Sequence, residues 1–351
     1  MNRCCKQLGV LLVLAFYLGQ SPIAFGQKAD GQKPISRVLF GSCIKEQKPK
    51  PILLEVVKRQ PELFVFLGDN IYGDTSDMSV LRAKYAKLGA DAGFQKLIRS
   101  CPILATWDDH DFGVNDGGAD YPQREASQRE FVAFWDLPAR APPRFRPGVY
   151  DVAYFGPKGK RLQVILLDTR YFRGPLKKGE RRTGGPYYPN PDKSITMLGE
   201  DQWKWLEQQL RMPAGVRIIA SSIQCVSESA GQETWSNLPR ERERFFNLIR
   251  STKANGVVVI SGDRHWSELS VARDWTPYPI YDLTSSSLNQ PHGRGTPTKN
   301  QYRALPKTFH KENYGEVLID WTADDPTLSL RVLDIRSELQ FEKKLQLSDL
   351  R

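Results

Sequence analysis

The stretch Leu63-Phe64-Val65-Phe66-Leu67-Gly68-Asp69-Asn70-Ile71-Tyr72 passes from a wholly apolar run into a polar turn within one residue. Five apolar residues without polar alternation read as a strand buried on both faces, and the Gly-Asp that follows reads as its stop. The pattern recurs on either side. Arg37 to Phe40 runs into Gly41-Ser42-Cys43, and Ile103 to Thr106 into Trp107-Asp108-Asp109-His110-Asp111. Leu162 to Leu167 runs into Asp168-Thr169-Arg170, Arg217 to Ala220 into Ser221-Ser222-Ile223-Gln224, and Val257 to Ile260 into Ser261-Gly262-Asp263-Arg264-His265.

Helical periodicity fills several of the gaps. Pro51 to Arg59 opens on proline and places Leu53, Leu54 and Val57 on one face; Val80 to Leu88, Phe94 to Ile98, Glu200 to Leu210 and Arg240 to Ile249 follow. Strand alternating with helix predicts a layered α/β fold. Pro279 to Thr284, Gly315 to Asp320 and Leu328 to Leu333 have no helices between them, which predicts a largely antiparallel C-terminal part. Residues 171–198, rich in Gly, Pro and Lys, predict an irregular insertion that overhangs a site.

Residues 1–26 have the three parts of a secretory signal: Arg3 and Lys6, an apolar run from Leu8 to Leu18, and Ala24-Phe25-Gly26 as a small-residue cleavage site. The run is shorter than the roughly 20 residues that span a bilayer, and no later stretch is longer. The expected product is a secreted or periplasmic chain, 27–351, forming a single domain without an integral membrane span. Retention as an anchor, with Cys4 and Cys5 lipidated, is the alternative. The formal charge of +10 becomes +8 once Arg3 and Lys6 leave. That balance favours anionic partners: phosphate esters, acidic polymers or lipid headgroups. The charges are scattered, densest at Lys177-Lys178 and Glu180-Arg181-Arg182, and no motif for sequence-specific nucleic-acid recognition is present. Cys43, Cys101 and Cys225 remain after cleavage, an odd number at wide spacing that excludes a disulfide framework and leaves at least one thiol buried or metal-bound.

The polar strand ends carry the chemistry. In open α/β sheets ligands sit outside the carboxyl ends of strands, so these side chains converge. Carboxylates, imidazoles, a phenol and a thiol make a metal-site inventory, and carboxylate oxygen suits hard cations better than a structural zinc site does. Asp69, with two oxygens, suits a ligand shared by two cations. Taken singly, Gly68-Asp69 is an ordinary turn, His110 an ordinary structural histidine and Cys43 a buried small hydrophobe. Jointly they are not ordinary, because buried charge in register after successive strands is costly unless paired or metal-bound.

The ordered set Gly-Ser-Cys (41–43), Gly-Asp-x-Ile-Tyr (68–72), Trp-Asp-Asp-His-Asp (107–111), Leu-Asp-Thr-Arg-Tyr (167–171) and Ser-Gly-Asp-Arg-His-Trp-Ser-Glu (261–268) resembles the alkaline phosphatase D (PhoD-like) family, of the calcineurin-like metallophosphoesterases. The resemblance implies an αββα sandwich, two packed mixed β-sheets flanked by helices. It implies hydrolysis of phosphate monoesters or diesters by metal-activated hydroxide. It further implies Fe(III) with Ca(II), other divalent metals remaining open. By motif, Asp69 is the bridging ligand, Cys43 and Tyr72 ligate iron, and Asp263 and His265 complete the metal set. Asp109 stands where many metallophosphoesterases have Asn, which makes the site more anionic, and Gly262-Asp263-Arg264-His265 stands where relatives carry Gly-His-x-His, which disfavours zinc. His110 is assigned to the leaving oxygen or the phosphoryl group, and Arg170 and Arg264 to substrate phosphate or, equally, to counter-ions for Asp168 and Asp263. A phosphodiesterase with phospholipase-D-like activity and a non-catalytic binder of phosphate-rich polymers are the alternatives.

Overall fold

β1 (Arg37–Gly41), β2 (Leu63–Leu67) and β3 (Ile103–Thr106) lie side by side and parallel, with Leu39 opposite Phe64 and Val65 opposite Leu104. All five residues of β2 are buried, as its unbroken apolar run requires. The computed structural model describes residues 33–292 and 299–351. The signal-sequence reading of 1–26 lies outside them.

The helices between these strands follow local chemistry. α1 (Pro51–Lys58) has proline in its first turn, where the missing N–H costs nothing. α2 (Met78–Gly89) is capped by Asp77, which accepts the Ser79 N–H, and α3 (Ala92–Ser100) by Asp91, which accepts that of Phe94. A single turn, α4 (Asp109–Phe112), follows β3, and α5 (Arg124–Phe134) then lies along α2. Phe66 meets Phe94 and Trp135, with ring centroids 5.9 and 5.1 Å away, and this aromatic packing seals the helical layer to the sheet.

The chain then builds a second sheet from β4 (Asp151–Phe155) and β5 (Leu162–Leu166). A small hairpin of β6 (Lys177–Arg182) and β7 (Gly185–Tyr188) comes next. α6 (Gly199–Leu210), β8 (Val216–Ser221), α7 (Pro239–Thr252), β9 (Val257–Ser261), β10 (Ser267–Ala272) and β11 (Ile280–Ser285) follow. β12 (Asn313–Asp320), β13 (Thr327–Asp334) and β14 (Leu339–Gln346) return to the first sheet. The two six-stranded mixed sheets have the orders β14-β13-β12-β1-β2-β3 and β10-β11-β9-β8-β5-β4. Their inner faces share one hydrophobic core, and α6 and α7 cover the second sheet, with Trp235 of the turn before α7 packed between Trp203 of α6 and Phe245 of α7. The αββα sandwich is the architecture anticipated from the sequence.

Two local expectations change. Residues 171–198 are not wholly irregular, because β6 and β7 pair there with Lys178 opposite Tyr187. The C-terminal strands are antiparallel from β12 to β14, but β11 runs parallel to β9 while pairing antiparallel with β10. No helix among the described residues is long and apolar enough to cross a membrane.

Candidate metal centre

The carboxyl ends of β1, β2 and β3 in one sheet and of β5, β8 and β9 in the other meet at one edge of the sandwich. Cys43, Asp69, Asp263 and His265 there take left-handed backbone, with φ of 58°, 50°, 65° and 59°. Each such residue costs about 1–3 kcal/mol, so the surrounding structure holds these turns in place. Two glycines allow the approach. A Cβ on Gly68 would sit 2.4 Å from that of Asp108, and one on Gly262 would sit 2.6 Å from Ser42 Oγ. The loops therefore close on each other only where side chains are missing.

Asp69 occupies the middle. Its Oδ2 accepts from Cys43 Sγ at 3.2 Å and from the Tyr72 hydroxyl at 3.4 Å, and that hydroxyl lies 3.1 Å from His265 Nε2. Ligand atoms of Cys43, Asp69 and His265 fall within 4.8 Å of one another. So do those of Asp69, Asp108, Asp109 and Asp263, and those of Asp69, Asp109 and His110. Asp69 is common to all three groups.

The donor set fits a pair of cations. Asp69 Oδ1 and Asp108 Oδ2, like Glu46 Oε1, are buried without a hydrogen-bond partner, and the first two residues belong to one acidic group. Burial pushes Asp69, Asp108 and Asp263 above the usual carboxylate range, and neighbouring acids add to it. Burial likewise pushes the Cys43 thiol up to about 11 and raises the Tyr72 phenol. Arg170 beside Asp108 and Arg264 beside Asp263 offset this only in part, and a cation would supply the remaining positive charge. Burial, helped by His292 and Arg264, holds His265 down to about 3, so its imidazole is neutral and free to ligate.

His110 differs. Its Nδ1 lies 2.6 Å from Asp74 Oδ1, leaving the other ring nitrogen for the acidic cluster. Burial alone would lower its pKa, but Asp69, Asp109 and Asp74 outweigh burial and raise it to about 11. Asp109 is the low carboxylate of the cluster, because Arg170 and His110 overcome its burial.

Arg170 is not placed to meet a substrate. It is fully buried, with Nε donating to Asp108 Oδ1 at 2.6 Å and Nη1 to both Glu233 oxygens at 2.8 Å. It is a counter-ion, but for Asp108 and Glu233; Asp168 accepts only its backbone N–H. The physical reason is that β5 delivers the guanidinium behind the carboxylates, where every neighbour is protein. Arg264 donates to Asp263 Oδ2 at 2.7 Å and keeps partial exposure, so it is the arginine of the pair that stands at the mouth.

Several contributors escaped the sequence reading. Asp108 was within a quoted motif but unassigned. Glu233 lies in the loop after β8 and gathers Arg170 and Arg173. Asp116, in the Asn115-Asp116-Gly117-Gly118 turn, donates its backbone N–H to Asp109 Oδ2 at 2.7 Å, and its carboxylate accepts from the hydroxyl of Tyr187 on β7. Asp109, Asp116 and Glu233 form a further acidic group beside the centre. Of these only Asn115-Asp116-Gly117-Gly118 is legible in the sequence, either as ordinary turn chemistry or as a source of a further polar ligand; Glu233 and Tyr187 carry no signal.

A two-sheet sandwich with a carboxylate-rich centre at its carboxyl edge is a metallophosphoesterase-type fold. Residues 42–325 match the PhoD-like phosphatase family, and the chain belongs to that family. It is 27% identical over 205 residues to alkaline phosphatase D of Bacillus subtilis (strain 168). That match covers 53% of this chain and 35% of the relative, so the chain spans about a third of the relative's length. A solved structure of PhoD superimposes with a TM-score of 0.70 at 19% identity, covering 92% of this chain and 72% of the other. A dimetal phosphatase from Danio rerio superimposes at 0.52 and 12% identity, covering 90% and 100%. At those identities the two structures speak for the fold.

Proposed function

We propose that the chain is a metal-dependent phosphoric ester hydrolase acting on phosphate monoesters or diesters, with Cys43, Tyr72, Asp69 and His265 around Fe(III) and Asp69, Asp109 and Asp263 around Ca(II). The observation that carries this reading is the position of Asp69, whose ligand atoms belong to both groups and whose Oδ1 has no other partner. Phenolate and thiolate favour a trivalent ion, and the all-carboxylate group favours a hard divalent one. Bound there, two such cations supply charge neutralisation and an activated water for in-line displacement at phosphorus.

The protein's own groups do the rest. His110, oriented by Asp74 and protonated, presents a donor to the leaving oxygen. Arg264 offers a guanidinium to the non-bridging oxygens at the mouth. Arg170 and Arg173 hold Glu233 and Asp108 in place from behind. Export with removal of 1–26 rests on the leader-like N-terminus alone.

The test is turnover of a chromogenic monoester and a chromogenic diester side by side, with metal analysis of protein purified without added metal. Turnover of either with iron and calcium bound supports the proposal. Metal bound with turnover of neither leaves a binder of phosphate-rich polymers, and absence of metal overturns the assignment.

A further inference from the structure

Ser286 follows β11 directly and is completely buried between the two sheets. Its Oγ accepts the backbone N–H of His265 at 2.8 Å and lies 3.2 Å from Cys43 Sγ. A hydroxyl has one proton to give. The N–H of His265 takes a lone pair of this oxygen, and a cysteine that ligates a cation does so as thiolate, with no proton of its own. The direction of the bond is therefore set: Ser286 donates to the sulfur. Ser42 Oγ, 3.4 Å from the same sulfur, is a longer second contact.

We infer that Ser286 is a positioning residue that tunes the thiolate ligand, with one hydroxyl joining Cys43, on the first sheet, to the backbone of His265, on the second. The inference rests on the reading of Cys43 and His265 as ligands of one cation. Hydrogen bonds to a ligating sulfur draw charge from it, weaken its donation and raise the energy of charge transfer from sulfur to metal. The same oxygen restrains a His265 backbone whose φ of 59° would otherwise relax. Among the described residues Ser286 alone joins this sulfur to the backbone of His265: Ser42 bonds Cys43 but not His265, and the Tyr72 hydroxyl reaches His265 only through ring Nε2.

The experiment loads the full chain with cobalt(II), whose sulfur charge-transfer band reports a thiolate bond whichever cation is native, and with ferric iron in parallel. In Ser286→Ala the cobalt band should persist and move to longer wavelength, because the sulfur becomes a stronger donor; Ser286→Thr, which keeps the hydroxyl, should return it towards the wild-type position. Thermal unfolding of both variants separates misfolding from tuning. A band at the wild-type position in a folded Ser286→Ala overturns the inference, as does a shift that threonine does not reverse. A wild-type protein with the cobalt band but no ferric colour removes iron from the proposed function and leaves the role of Ser286 standing. Absence of a sulfur band in wild-type cobalt protein removes Cys43 as a ligand and Ser286 with it.

Discussion

Asp111 Oδ1 accepts the backbone N–H of Asp69 at 3.2 Å, tying the turn after β3 to the turn that carries the proposed shared ligand. The same carboxylate takes the N–H groups of Asp108 at 2.6 Å and Asn70 at 3.3 Å and the side-chain amide of Asn70. Asp111→Asn replaces one acceptor oxygen by a donor facing other donors. It should destabilise the protein by about 2–4 kcal/mol, since each buried unsatisfied group costs about 1–3 kcal/mol. Denaturant unfolding with and without added metal measures this, and an unchanged midpoint would remove Asp111 from its role.

Asp69→Asn keeps the size of the side chain and removes its charge from both groups. Bound metal should fall and turnover should drop by roughly three orders of magnitude or more, while circular dichroism stays native. Near-normal turnover would sink the assignment of Asp69.

His110→Ala should lower turnover by roughly 10²–10⁴ with metal content unchanged. Loss of metal instead would make His110 a ligand. The pH profile carries a second test. The folded pKa of His110 is raised from 6.5 to about 11, so its contribution to stability is fully present below 6.5 and is lost as pH rises through about 11. As a donor it works only while protonated. Bound cations offset Asp69 and Asp109, which leaves Asp74 as the carboxylate still raising it. Asp74→Asn should therefore move the alkaline limb of turnover to lower pH, and an unmoved limb counts against His110 as the acid.

If Fe(III) sits with Tyr72 and Cys43, the loaded protein is coloured by charge transfer from phenolate and thiolate. Tyr72→Phe and Cys43→Ser should each weaken or shift the visible band. Cys101→Ser should leave it unchanged, since that thiol packs beside the Leu97 carbonyl outside the centre. Cys225→Ser should also leave it unchanged, at some cost in stability because Cys225 is buried in the core. A colourless, iron-free active protein would leave a divalent site built on Asp69, Asp109 and Asp263.

The β6–β7 hairpin reaches the centre through the Tyr187 hydroxyl and rests its backbone on the loop at Ala230 and Gly231. Tyr187→Phe deletes one hydrogen bond to the Asp116 carboxyl, worth about 0.5–1.5 kcal/mol, and should loosen the hairpin locally. Trypsin should then cut faster at Lys177–Arg182, while the global unfolding midpoint moves little. Equal cutting rates would show that the hairpin is held by its other contacts alone.

Much of this was legible in the sequence because the informative residues sit next to the elements that place them. Cys43, Asp69, Asp109 and Asp263 follow buried strands within two or three residues, so an apolar run predicts their location. The misses have the opposite character. Arg170 also follows a strand, but whether its guanidinium faces substrate or protein depends on Asp108 and Glu233, which are 62 and 63 residues away in the chain. Glu233 sits in a loop with no periodicity and no motif, and only the return of that loop across the sheet gives it a role. α5 was not anticipated, because Arg124-Glu125-Ala126-Ser127-Gln128-Arg129-Glu130 is too polar to betray the face that packs on α2.

The centre is divided between the sheets: Cys43, Asp69, Tyr72 and Asp109 come from one, Asp263 and His265 from the other. Neither half can present a complete set of donors until the two layers have docked, so a cation that binds there is also a rivet across their seam. Its binding energy then adds to the adhesion of the layers rather than to either layer alone. Stripping the metal should open hydrogen exchange first at the ends of β1, β2 and β9, ahead of the outer strands, and the molecule would come apart along the line where its chemistry was assembled.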